Sequence, residues 1–256
     1  MKYLSVGLTD IGNTREVNQD AWYSCSYEGI CGSIVMAVVC DGVGGFYEGE
    51  YASKHVIQSF ASWFSQAQNG VFLRPITEEI MRNEWGRLVE ETNRGLRTQP
   101  GITKGTTVSA LLLTVDCYYI VHVGDSRIYR ILNGNIQQIT EDQSLVAKEV
   151  AEGKLTKEQA KYDPRRNVIL QCIGGKDYIE PAFYSGFSFV DSAFLLCTDG
   201  FVHELSEEEY VSQLCPTMLT DEGLIYRKLR DMIEIVKERQ ERDNITACVI
   251  NICRED

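Results

Sequence analysis

Apolar residues along the chain cluster in short runs of strand length. Tyr3–Leu8, Ile34–Cys40, Thr107–Val115, Tyr118–Val123, Arg127–Leu132, Phe194–Thr198 and Ile245–Ile252 all read as strands. Several are apolar at nearly every position, which is the pattern of a strand covered on both faces. Asn133-Gly134-Asn135 predicts a hairpin turn between Tyr129–Leu132 and Ile136–Ile139. Three other stretches have a helical period. Residues 50–68 stack Val56, Ile57, Phe60, Trp63, Phe64 and Ala67 on one stripe. Residues 77–97 do the same with Ile80, Met81, Leu88 and Leu96, and residues 221–240 with Leu224, Ile225, Leu229, Ile233 and Val236. The pairs Thr140/Gln143, Thr156/Gln159 and Ser206/Glu209 have capping-box spacing and predict shorter helices, with Gly153 as the stop of the first. Helices do not alternate regularly with strands. The order therefore predicts a largely antiparallel α+β layer structure, not a doubly wound sheet.

Composition narrows the setting. The 256 residues, 44% of them hydrophobic, suffice for one large core, and no linker, repeat or low-complexity segment divides them. The longest apolar runs are too short to span a bilayer, and the N-terminus lacks the features of a signal peptide. A cytoplasmic protein is expected. The nine cysteines include no C-x-x-C pair, so free thiols in a reducing compartment are the simplest expectation. The net charge of -12 argues against nucleic acid or an anionic membrane as partner.

Candidate chemistry lies where the apolar runs stop. Asp41 follows Ile34–Cys40, Asp125 follows Tyr118–Val123, and Asp199 follows Phe194–Thr198. Asp243 precedes the last run, and Asp20 precedes Ala21-Trp22-Tyr23. Taken singly, each has a plain reading: an Asp-Gly turn, a hairpin with a local ion pair, or the first residue before a strand. On a shared sheet edge the carboxylates would converge. Two of them about 5 Å apart repel by roughly 3 kcal/mol at an effective dielectric near 20. Either Arg15, Arg127 and Arg242 neutralise them or hard divalent cations sit among them. All-oxygen ligands favour Mg²⁺ or Mn²⁺ over zinc, and His55, His122 and His203 fall outside these motifs.

Taken together and in order, the segments resemble the metal-dependent protein phosphatase family, also called protein phosphatase 2C. The matching pieces are Arg15-x-x-Asn18-Gln19-Asp20, Asp41-Gly42-Val43-Gly44-Gly45, Gly49-Glu50-x-Ala52-Ser53, Gly105-Thr106-Thr107, Val123-Gly124-Asp125-Ser126-Arg127, Thr198-Asp199-Gly200 and Asp243-Asn244-Ile245-Thr246. The resemblance runs from about Ser5 to Ile252, and Thr140 to Gly175 resembles the family's bacterial form. It implies a four-layer α-β-β-α sandwich with two central antiparallel sheets. It also implies a centre of two Mn²⁺ or Mg²⁺ ions, with a third and weaker site. By match, Asp41 would bridge the pair, with the Gly42 carbonyl on one ion and Asp199 and Asp243 on the other. Asp20 would act mainly through water, Asp125 with Asp199 would form the third site, and Arg15 would grip the phosphate. The implied reaction is in-line attack on phosphoserine or phosphothreonine by a hydroxide shared between the two metals. The implied partners are phosphorylated proteins, including a Ser/Thr kinase and its substrates.

Three positions depart from the family pattern. Val43 stands where animal-type relatives carry a histidine that protonates the leaving oxygen, so the general acid is unassigned. Gln143 stands where many relatives have histidine, and Gln19 replaces an acid found in some. The chain is expected to be one catalytic domain, residues 1–256, acting as a monomer. Its insert at about 143–176 reads either as a flap beside the active site or as a packed helical hairpin. An inactive family member would lack metal-binding aspartates, but Asp20, Asp41, Asp199 and Asp243 are all present.

Overall fold

A computed structural model describes residues 1–43, 48–97 and 104–254. The chain begins with β1 (Lys2–Asp10), β2 (Ala21–Gly29), β3 (Gly32–Cys40) and β4 (Gly42–Val43). Two long helices follow, α1 (Glu48–Ala67) and α2 (Glu78–Arg97). Five strands come next: β5 (Gly105–Thr106), β6 (Val108–Leu113), β7 (Cys117–Val123), β8 (Arg127–Leu132) and β9 (Asn135–Gln138). Short helices α3 (Leu145–Ala151) and α4 (Lys157–Tyr162) precede β10 (Ala182–Phe187) and β11 (Ser192–Cys197). The chain closes with α5 (Asp199–Val202), α6 (Glu207–Gln213), α7 (Glu222–Glu238) and β12 (Ile245–Cys253).

Two five-stranded antiparallel sheets form, ordered β1-β12-β11-β8-β9 and β10-β7-β6-β3-β2. Alternation along the strands explains why both are covered on two sides. In β3, Val35, Ala37 and Val39 face the other sheet with Leu111, Phe194, Leu196 and Ile250. The intervening Ile34, Met36 and Val38 pack beneath α1 and α2 with Phe60, Phe64 and Trp85. In β11, Leu195 and Cys197 turn outward to Ile225, Leu229 and Val236 of α7. Helix, sheet, sheet and helix therefore stack as the four layers expected.

The long helices form where their apolar stripes predict them. The α1–α2 layer is built on aromatic contacts, including Phe60 edge-on to Trp85 at 5.7 Å between ring centroids. Phe60 is fully buried. Phe60→Ala should cost about 3–5 kcal/mol, read as a drop in the urea midpoint.

Two strands carry little apolar signal. β2 interleaves Ser24, Ser26 and Glu28 with its hydrophobic residues, and β10 contains Ser185 and Gly186. Both are edges of the second sheet, where one side of the strand meets solvent. The hairpin turn expected after Leu132 is present, with Asn133 and Gly134 at φ of 53° and 74°. Thr156 and Ser206 cap α4 and α6 with full capping boxes. The third predicted box does not open a helix. Thr140 Oγ1 instead accepts the Ile128 N–H at 3.0 Å, Gln143 Oε1 accepts the Gly124 N–H at 2.9 Å, and Ser144 caps α3. Within the 143–176 segment, Leu145 N–H bonds to Val168 O at 2.8 Å and Leu170 N–H to Gln143 O at 2.7 Å, which joins its two ends.

Candidate metal centre

Strand register carries the acidic residues to one end of the sandwich. The last pair of β2 and β3 is Ala21 opposite Cys40, so Asp20 and Asp41 leave the sheet side by side. In the other sheet Cys197 pairs with Ala247, which places Asp199 and Asp243 just beyond the same end. Asp125 sits in the turn between β7 and β8, where Gly124 takes a φ of 111° that suits glycine. Cross-sheet bonds lock the ends together. Thr198 Oγ1 donates to Asp20 Oδ2 at 2.9 Å, and Gln19 N–H donates to Asn244 Oδ1 at 2.9 Å.

The backbone of Asp41 is held independently of its side chain. Its N–H donates to Thr107 Oγ1 at 2.9 Å, and its carbonyl accepts from Thr107 N–H at 2.8 Å and Thr106 Oγ1 at 2.9 Å. Gly42 packs against Gly49 and the Gln19 carbonyl so closely that a Cβ would collide with backbone. Gly44 and Gly45 lie outside the described residues.

The acids perturb one another. Burial pushes the Asp41 carboxyl well above its usual range, reinforced by Asp20, Asp199, Asp125 and Asp243. Burial pushes Asp20 up to about 7, against opposing hydrogen bonds from Thr246 and Thr198. Asp125 is raised well above the carboxylate range by burial and by Asp199 and Asp142. Asp199 is raised by burial, partly relieved by His203. Asp243 instead turns both oxygens to Arg15, whose Nε and Nη2 donate at 3.0 and 2.7 Å. Arg15 also feels Asp41 and Asp199, so it faces the cluster.

Oδ1 of Asp20 and Oδ1 of Asp199 are buried without a hydrogen-bond partner. Buried polar atoms are normally bonded. Two orphaned carboxylate oxygens among mutually repelling acids suit a hard divalent cation with all-oxygen ligands. Among the described residues, no three His, Cys, Asp or Glu side chains stand as a finished metal-binding group. Like charges repel, and the fork of Arg15 keeps Asp243 engaged.

Of the other two arginines, Arg127 opposes the rise of Asp125 without cancelling it. Arg127 is bidentate on Asp142, with Nη2 to Oδ2 at 2.7 Å, and Arg242 is exposed. Two residues outside the sequence motifs do reach it. His203 Nε2 is 4.0 Å from Asp199 Oδ2, and its Nδ1 is 3.1 Å from Glu241 Oε2. Burial disfavours the charged form of Glu241, but hydrogen bonds from His203 and from the Arg242 and Asp243 N–H groups outweigh it and lower its pKa. The spacing of His203 four residues after Asp199 is the one hint of this pair visible in the sequence.

An α-β-β-α sandwich with carboxylates gathered at one end defines a class of metal-assisted hydrolases. The sequence model of protein phosphatase 2C matches residues 12–234, and the chain belongs to that family. A putative protein phosphatase 2C-type of Streptococcus pyogenes is 29% identical over 97% of both chains. The solved S. agalactiae serine/threonine phosphatase matches with a TM-score of 0.81 at 27% identity, over 98% of this chain and 100% of that one. The catalytic domain of the serine threonine protein phosphatase PstP, solved in complex with two manganese ions, matches with a TM-score of 0.79 at 25% identity, over 98% and 99%.

Proposed function

We infer that the protein is a metal-dependent phosphatase that removes phosphate from phosphoserine and phosphothreonine in proteins. The observation that carries this reading is the pair of orphaned oxygens on Asp20 and Asp199 inside an acid cluster faced by Arg15. Family membership and the two manganese ions of the PstP catalytic domain support it. Two Mn²⁺ or Mg²⁺ ions would be held by Asp41, the Gly42 carbonyl, Asp199 and Asp243, with Asp20 acting through water and Asp125 serving a weaker third site. When bound, such a pair makes water acidic enough to attack near neutral pH and offsets charge on the phosphoryl oxygens.

The chain's own groups bind and orient the substrate. The Arg15 fork, now on the two oxygens of Asp243, has the same geometry that two phosphoryl oxygens require. Its side chain is half exposed, so it can meet a phosphoprotein at the surface. Asn244 fixes the approach to the site, donating to the carbonyls of Ile11 and Val17 while accepting from Gln19. Val43 offers no proton to the leaving oxygen.

The substrates we infer are phosphorylated proteins, including a Ser/Thr kinase and its targets. The chain would act as a single-domain cytoplasmic monomer, with residues 143–176 as a flap that docks substrate. The net charge of -12 disfavours nucleic acid. Among the described residues, no helix is long and apolar enough to cross a membrane.

Hydrolysis of p-nitrophenyl phosphate and of phosphoserine and phosphothreonine peptides tests the reading. Activity should require Mn²⁺ or Mg²⁺, and undiminished turnover in chelator would overturn it. Arg15→Ala should lower kcat/KM for phosphopeptides by about 10- to 100-fold, the scale of a lost charged hydrogen-bonding group, with the larger change in KM.

A further inference from the structure

We propose that Glu241 and His203 are positioning residues that hold the Asp199 and Asp243 carboxylates in place for a divalent cation. The proposal rests on the reading of the acid cluster as a metal site. Helix α7 ends at Glu238, and Gln240 reverses the chain with a φ of 70°. That turn drives the Glu241 side chain inward, where the residue is 5% exposed. Its Oε1 accepts the N–H groups of Arg242 at 2.6 Å and Asp243 at 3.0 Å. Its Oε2 meets His203 Nδ1 at 3.1 Å. One carboxylate thus shapes the turn that carries Asp243 and also grips a residue of the turn that carries Asp199.

The imidazole completes the link. A carboxylate only accepts hydrogen bonds, so Nδ1 is the donor and Nε2 is the ring atom left facing Asp199. It stands 4.0 Å from Asp199 Oδ2, one helical turn along, and the His203 N–H bonds to the Asp199 carbonyl at 3.2 Å. Asp199 therefore has His203 on its Oδ2 side and its buried, unpartnered Oδ1 on the other.

The acid at position 241 acts on the cluster as well as on its own turn. Its charge bears on Asp199, while His203 and the Arg242 and Asp243 N–H groups keep Glu241 itself ionised. What the acid adds is a fixed ring orientation, the role carboxylates commonly play behind histidines near metals.

Calorimetric titration of chelator-treated full-length protein with Mn²⁺ tests the proposal. Glu241→Ala and His203→Ala should each weaken Mn²⁺ binding by about 10- to 100-fold. Together they should weaken it little more than the larger single change, because the pair acts as one device. Glu241→Gln keeps an oxygen for the Arg242 and Asp243 N–H groups, and its NH2 holds the ring by donating to Nδ1 of the other His203 tautomer. Binding should therefore stay within about threefold of wild type, the range left by a neutral hydrogen bond in place of a charged one. Thermal melting in chelator serves as the structural control. The proposal is overturned if either alanine variant binds Mn²⁺ like wild type, or if Glu241→Gln loses as much affinity as Glu241→Ala. Should Glu241→Ala fail to fold, His203→Ala and Glu241→Gln decide the question: wild-type affinity in the first, or a tenfold loss in the second, overturns the proposal equally. A wild-type chain that binds no Mn²⁺ would instead overturn the functional reading beneath it.

Discussion

Asp41→Ala should slow Mn²⁺-dependent hydrolysis of p-nitrophenyl phosphate by at least about 10³-fold, equivalent to about 4 kcal/mol of barrier, while the far-ultraviolet circular dichroism stays that of wild type. Asp41 is the acid on which the others converge, since Asp20, Asp199, Asp125 and Asp243 all act on it. Removing it would deprive a cation pair of the carboxylate proposed to serve both ions. The same substitution should spare the fold. The bonds to Thr106 and Thr107 use only the backbone of residue 41, and an alanine side chain leaves them intact. Asp199→Ala should show a loss of the same order. Residual activity within tenfold of wild type in either variant would remove these carboxylates from the chemistry.

How much of this was legible in the sequence depended on whether a signal was local. Ile34–Cys40 ending on Asp41 and Phe194–Thr198 ending on Asp199 were visible because an apolar run and its terminal acid are adjacent in the chain. Their meeting at one end of the sandwich follows from antiparallel register. β2 and β10 were faint because an edge strand satisfies only one covered face. The Thr140/Gln143 spacing misled for the opposite reason. Both side chains found better partners in the backbone of β8 and of the Gly124 turn than in a helix of their own. Arg127, close to Asp125 in sequence, eases that acid only from a distance, because Asp142, brought alongside by the β8–β9 hairpin, takes its hydrogen bonds. The contact between Glu241 and His203 joins the ends of two separate helices, and no periodicity encodes it.

Metal-free protein should become more stable when one of its acids is neutralised, and Asp20→Asn is the cleanest case. Asp20 is 6% exposed and its carboxyl is pushed up to about 7 from 3.8. A carboxyl raised in the folded state binds its proton more tightly there than in the unfolded chain. Its contribution to stability is therefore greatest at low pH and falls as pH rises from about 4 to about 7. At 1.36 kcal/mol per unit, the cost at pH 8 is on the order of 4 kcal/mol. Asparagine removes that cost and keeps an oxygen for the Thr198 hydroxyl. His122, which burial holds neutral down to about 4, works in the opposite sense below its ordinary value of 6.5. Its effect cancels when variant and wild type are compared at the same pH. In chelator, Asp20→Asn should thus exceed wild type in urea midpoint at pH 8 and approach it at pH 5. Saturating Mn²⁺ should narrow the gap. A cation bound at 100 times its Kd stabilises the folded state by about 2.7 kcal/mol, and the variant, lacking an acid beside the site, should gain less. Acids that repel one another without a cation and clasp it when it arrives predict that narrowing. A variant less stable than wild type in chelator at pH 8 would mean that Asp20 is a settled structural acid.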